Sequence, residues 1–291
     1  MKHKATFIIL AGALTVIALT ARPPAPSLRL PDSAPVLSRA RSLLALFGSH
    51  RQLLADVYWL QATYRTGIAG TASEYRDIYY YAQLITDIDP DFQYAYYFGT
   101  VVPPYNHGHE TWVNTKESTA MAEKGLAKFP DDLRLRLLHA YNLSYFERDY
   151  PRAAGELIRA SKLPNAPAFI GALATRMYAT SDSFEAALSL TDALLAQAED
   201  QETREFYQRR RKEILLERTL KTVDQASRQF RDRTGHPPTS LEQLLVTGDM
   251  ASMPVDPFGG AIVLDEEGRS HSTAVAKRLQ VFLGPMERAR E

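Results

Sequence analysis

Apolar positions along this chain fall into three regimes. From Ala5 to Ala21, "ATFIILAGALTVIALTA", they are nearly continuous and no charge interrupts them. From about residue 36 to residue 233 they recur every three to four positions between charged residues, the spacing of amphipathic helices. After Gly235 the spacing breaks up, and "AIVLDEEG" (261–268) follows the turn dipeptides Asp256-Pro257 and Gly259-Gly260. That order reads as a strand running into a tight turn. The helical stretch is punctuated at "RTGIAGTAS" (65–73), "DIDPDF" (87–92), "KFPDD" (128–132), "RDYP" (148–151), "LPNAP" (163–167) and "ATSDS" (179–183).

The first regime is about 25 Å long as a helix, the short end of what crosses a bilayer core of roughly 30 Å. Lys2 and Lys4 precede it, and Arg22 with several prolines closes it. An uncleaved signal-anchor, a cleaved signal peptide and a buried helix all compete for this pattern. Leu19-Thr20-Ala21 is a poor small-x-small cleavage site, which favours the anchor. The Lys-flanked end then stays inside, and the bulk of the chain is exported. The Pro-rich stretch 23–35 reads as a semi-extended spacer.

Internal spacing carries a resemblance. Ala153, Leu157 and Ala160 recur 33 residues later as Ala186, Leu190 and Ala193, and Pro130 and Pro164 lie 34 apart. A two-helix unit of this length resembles the tetratricopeptide repeat. In one unit Leu137, Ala140 and Tyr141 stand at first-helix contact positions. In the next, Ile170, Leu173 and Ala174 do so. An earlier unit has Phe98-Gly99 in the first helix and Ala122 and Gly125 in the second, with "VVPPYNHGHETWVN" (101–114) inserted between them. "LLADVYWLQATYRTG" and "YRDIYYYAQLITDIDP" look like a further degenerate pair. The consensus tryptophan position is nowhere kept. The resemblance covers roughly 40–200 and implies a mainly α fold, an antiparallel helix-pair solenoid.

Next comes a long charged helix, "DQETREFYQRRRKEILLERTLKTVDQASRQFRDRTG". Phe206, Ile214, Leu215, Leu220, Val223, Ala226 and Phe230 form its apolar stripe. Arg209 to Arg211 and Lys212 interleave with Glu205, Glu213 and Glu217, which reads as a solvated face. Beyond it, Gly235, Pro237, Leu241, Leu244, Pro254, Asp256, Pro257, Phe258 and Gly259 follow an order similar to the C-terminal region of the major pseudopilins of type II secretion. The match covers some 45 residues. The prepilin cleavage site is absent, and so is a clear carboxylate run in the place of that family's calcium loop. The resemblance implies a small pilin-like α+β module with a β-hairpin, and a structural turn at Asp256, Pro257, Phe258 and Gly259. The expected organisation is an anchor (1–22), linker (23–35), helical repeats (36–200), capping helix (201–234) and C-terminal module (235–291).

Composition narrows the function. Lys+Arg and Asp+Glu balance at 34 each, so no net field recruits nucleic acid. Cysteine is absent, which excludes disulfides, thiolate metal sites and a cysteine nucleophile, and fits an oxidising compartment. No phosphate loop, dinucleotide fingerprint or nucleophile elbow is present. About half of the aromatics crowd into residues 58–112. Tyr79, Tyr80 and Tyr81 cannot share one helix face, so at least one should be exposed or at an interface. With Tyr94, Tyr97, Tyr105, His107, His109 and Trp112 they form the expected partner-binding set. His107, His109 and Glu110 offer metal-ligand chemistry for a hydrolase, but on one loop with no distant partner and no His-Glu-x-x-His spacing. The acids of "LDEEG" need no metal if Gly268 takes a positive φ in a hairpin turn. The sequence therefore leads to a non-enzymatic scaffold without cofactor or metal. It would be held at the bacterial inner membrane through residues 5–21, stand in the periplasm and bind a protein in the envelope. An accessory or structural part of a secretion or pilus-like apparatus is the alternative.

Overall fold

A computed structural model describes residues 37, 40–108, 111–164, 166–167 and 169–279. The anchor (5–21), the linker (23–35), His109 and Glu110 lie outside the described residues. The chain is mainly helical, with two small antiparallel strand pairs, and divides into two units, Met1–Asn142 and Leu143–Glu291.

In the first unit, α1 (Ala40–Phe47) and a 3-10 turn (Gly48–His50) lead to α2 (Arg51–Ile68), α3 (Ala72–Ile88) and α4 (Gln93–Val101). Strands β1 (Tyr105–Asn106) and β2 (Trp112–Val113) separate α4 from α5 (Thr115–Lys128), and α6 (Leu133–Tyr145) reaches the boundary. Local chemistry sets these ends. Thr71 caps α3 in a capping box: its hydroxyl accepts the Glu74 N–H, and the Glu74 carboxylate accepts the Thr71 N–H at 3.0 Å. The helices pack in sequence, α2 on α3, α3 on α4 and α4 on α5. Ala55, Tyr58, Ala62, Tyr81, Leu84, Ile85 and Ile88 form one core cluster, and Ala82, Tyr96, Met121 and Leu135 another.

Close approach in this unit depends on two glycines. A Cβ on Gly99 would lie 2.7 Å from the Ala82 Cβ and 2.9 Å from the Met121 Cγ. One on Gly125 would lie 2.9 Å from a Leu135 methyl and 3.1 Å from the Tyr96 Cβ. Across the same contact, the Asn142 amide donates to the Ser118 hydroxyl (2.7 Å), and that hydroxyl donates to the Thr100 carbonyl, so these buried polar groups are satisfied. The strand pair in 101–114 was not expected. Its register sets Tyr105 opposite Val113, and the Asn114 amide ties it down by donating to the Ala72 and Pro103 carbonyls.

The second unit contains α7 (Tyr150–Ser161), α8 (Phe169–Thr180), α9 (Phe184–Gln197), the 34-residue α10 (Gln201–Thr234), α11 (Leu241–Val246), β3 (Ile262–Leu264) and β4 (Ser270–Ser272). At about 51 Å, α10 is its longest element. Asp200 caps it at the start, and Gly235, at φ 81°, ends it in the left-handed conformation. Its C-terminal half shares a core with the last elements: Leu216, Leu220, Val223, Ala226 and Phe230 pack against Leu241, Leu244 and Ile262. Asp224 fastens β4 by accepting both the Ser270 N–H (2.8 Å) and the Ser270 hydroxyl (2.7 Å).

Three expectations about helix faces are corrected by the packing. Ala153, Leu157 and Ala160 are buried on α7, but Ala186 and Ala193, their 33-residue echoes on α9, are exposed. There α9 buries Ala187, Leu188 and Thr191, a face turned by one residue, because α8 and α10 both pack on it. Tyr141, placed in a helix contact, is about half exposed. On α10, Phe206 is exposed while Tyr207, Arg210 and Glu217 are buried, because the helix is covered by α8, α9 and β4 rather than along its apolar stripe alone.

Candidate protein-binding surface

The tyrosine triplet on α3 points inward more than its position on the helix suggests. Tyr81 is buried beneath the Arg65 guanidinium, which sits 5.3 Å above its ring. Tyr79 and Tyr80 are half-buried and meet edge to face at 5.4 Å. Burial, followed by the charge of Glu117, pushes the Tyr79 phenol up from its ordinary value, and its oxygen accepts from Gln83 at 2.6 Å. None of the three is fully exposed. The reason is tertiary: α1, α2, α4, α5 and β1 all contact α3, so three residues spanning some 200° of helix find cover on both sides.

The aromatic surface lies instead where α2 meets α4. Trp59 is half-buried, with Phe98 at 4.8 Å, Phe92 at 5.5 Å and Tyr94 edge-on at 5.6 Å. Tyr94 is 54% exposed. Tyr97 stands 6.1 Å from Tyr94 and is pinned, its hydroxyl donating to Asp132 at 2.5 Å and the Arg134 guanidinium stacked over its ring at 4.4 Å. Burial, reinforced by that hydrogen bond to Asp132, raises the Tyr97 phenol to about 12. Tyr96 is buried, donates to the Pro90 carbonyl, and is raised to about 12, by burial first and by nearby Asp87 next.

One feature of this surface is absent from the expected binding set. The solvent side of α2 carries Leu53, Leu60, Tyr64 and Ile68, with Leu60 and Tyr64 about two-thirds exposed, and half-buried Val57 fills the gap. The spacing 53, 57, 60, 64, 68 is one continuous stripe, opposite the Ala55–Tyr58–Ala62 face that packs on α3. The pattern is present in the sequence. With apolar residues on both sides of the helix, periodicity alone does not assign one side to the core and the other to solvent.

The inserted hairpin forms a separate place. Tyr105 donates to the Gly70 carbonyl (3.2 Å) and packs on Tyr75 at 5.2 Å, and exposed His107 meets its ring edge-on at 5.5 Å. Trp112 is half-buried on β2. A shallow recess lies between His107, Val113 and Asn114 and the start of α3 at Thr71, Ser73 and Arg76. Among the described residues no group of His, Asp and Glu could hold a metal ion. Within the expected binding set, ring contacts link Tyr94 with Tyr97, Tyr105 with His107 and Tyr79 with Tyr80, while Tyr81 is buried in the core.

In the second unit, Asp256, Pro257, Phe258 and Gly259 form a turn closed by the Gly259 N–H donating to the Asp256 carbonyl, with Gly259 at φ 84°. The buried Asp256 carboxylate accepts the Phe258 N–H (2.8 Å) and the Ser272 hydroxyl (2.6 Å). Phe258 packs on the α10 core, and the Lys212 ammonium is 5.8 Å from the centre of its ring. Gly268 turns the β3–β4 hairpin at φ 78°, and Asp265 accepts the N–H groups of Glu267 and Arg269.

No protein-family model, no curated protein and no solved structure matches this chain. Among the described residues no helix is long and apolar enough to cross a membrane.

Proposed function

We propose that this chain is a non-enzymatic scaffold, held at the bacterial inner membrane by residues 5–21, whose tetratricopeptide-like helix pairs dock a protein partner in the periplasm. The observation that carries the reading is the stripe of Leu53, Leu60, Tyr64 and Ile68 on α2, with Tyr94 exposed on the neighbouring α4. Aliphatic and aromatic anchors at three- and four-residue spacing suit an amphipathic helix of the partner, laid along α2. The close helix approach at Gly99 and Gly125 supports the repeat-like packing; the 33-residue echo between α7 and α9 does not. A photo-crosslinker placed at residue 60 or 64 of the full-length chain in cells tests this. A discrete adduct with one envelope protein, absent when the label stands at exposed Arg228 on α10, is expected. Adducts only with lipid or with a second copy would remove the reading.

A second reading, a component of a secretion or pilus-like apparatus, draws on the C-terminal elements. Their order is a long helix, a Gly235 cap, a short helix, the Asp256 turn and a hairpin, and Val246, Met253 and Val255 are exposed around the short helix and turn. Val246→Asp combined with Val255→Asp should leave the fold intact and abolish co-assembly. Unchanged assembly would dispose of this alternative.

A further inference from the structure

The second unit contains a charged cleft of about 620 Å³ between α8, the middle of α10 and the segment 274–279. Arg176, Arg209, Arg210, Lys277 and Arg278, with Glu213 and Glu217, supply its charges. Arg278 is fully answered: its guanidinium grips Glu217 with two hydrogen bonds (2.8 and 3.2 Å) and reaches Asp224 at 2.6 Å. Burial works against its charge, but these carboxylates outweigh it and raise its pKa. The other three arginines have one carboxylate between them. Arg209 (3.3 Å) and Arg210 (2.9 Å) share the single carboxylate of Glu213, and Arg176 has no ion pair among the described residues.

Solvent does not make up this deficit at Arg210, which is only 6% exposed. The Nε atoms of both Arg176 and Arg210 are buried without a hydrogen-bond partner. Burial chiefly lowers the Arg210 pKa; Glu213 opposes the shift, and the neighbouring charge of Arg176 adds to it. A buried guanidinium is tolerated when its donors meet oxygen acceptors, and its planar donor edge matches two oxygens of one oxyanion. Phe258, Leu216 and Val275 complete the wall.

We propose that this cleft binds an oxyanion, a carboxylate or phosphate group, through Arg176 and Arg210, with Arg209 at its rim. It is a site separate from the α2 surface and does not depend on the scaffold reading. Calorimetric titration of the full-length chain in detergent with inorganic phosphate, and separately with succinate, tests it and tells the two sources apart. Saturable binding of at least one, with Kd of about 1 mM or tighter, is expected. Arg176→Gln should weaken it about tenfold or more, whereas Arg228→Gln, at an exposed position on α10, should change it less than about twofold. If Arg176→Gln unfolds, Arg176→Lys takes its place, keeping the charge and losing the planar donor edge, with the same tenfold loss expected. No binding of either anion below about 10 mM, or equal losses in Arg176→Gln and Arg228→Gln, overturns the proposal.

Discussion

Replacing Gly99 by alanine separates helix propensity from helix packing. In isolation the change should favour α4 by about 1 kcal/mol, because alanine loses less backbone entropy than glycine. In this fold the new methyl would stand 2.7 Å from the Ala82 Cβ and 2.9 Å from the Met121 Cγ. Carbon pairs rest at about 3.5–4.0 Å, so α3 and α4 would have to part by nearly 1 Å. Met121 can swing away, but the Ala82 methyl is fixed to its backbone. Overpacking costs about 1–3 kcal/mol, and a clash against a methyl fixed to its backbone falls in the upper part of that range, about 2–3, leaving a net loss of about 1–2 kcal/mol after the propensity gain. Gly155→Ala on α7 is the matched control, since nothing lies within 4 Å of its new methyl and only the propensity gain applies. Hydrogen exchange read peptide by peptide avoids assuming that the two units unfold together. Amides of α4 and α5 should exchange roughly 5- to 30-fold faster in Gly99→Ala, and those of α7 up to about fivefold slower in Gly155→Ala. Slower or unchanged exchange of α4 and α5 in Gly99→Ala would refute the close-packing argument.

Thr71→Ala removes half of the capping box and should cost about 1 kcal/mol, seen as faster exchange confined to the first turns of α3. Asp224→Ala strips the acceptor of the Ser270 N–H and hydroxyl and one partner of Arg278. A loss of about 2–3 kcal/mol and tryptic cleavage after Arg269 in the β3–β4 hairpin should follow, while the first unit keeps its exchange pattern. Stability should also fall in alkali. Tyr96 and Tyr97 are raised to about 12 by burial and by the neighbouring carboxylates, against about 10 in an unfolded chain. The native state then holds more protons between these values, so its stability is complete below about pH 10 and is lost as pH rises towards 12. Thermal melts at about pH 9, 10 and 11 should show the decline, and Tyr97→Phe should flatten it.

Local chemistry was readable from the sequence. The mainly helical character, the hairpin after Gly259 and the left-handed Gly268 all depend on residues within about four positions of one another. Such terms survive translation from sequence to structure because the groups involved are always neighbours. The side of each helix that ends up covered is decided by residues far away in the chain. None of Tyr79, Tyr80 and Tyr81 is fully exposed because five elements surround α3, and Ala186 and Ala193 stayed in solvent because α8 and α10 cover a different face of α9. Arg210, one of four consecutive basic residues expected on a solvated face, became a buried cation through the packing of α8 and the segment 274–279 beside it. The α2 stripe shows the same limit from the other direction. Its apolar spacing is plain in the sequence, but only the position of α3 against the opposite face leaves Leu60 and Tyr64 in solvent.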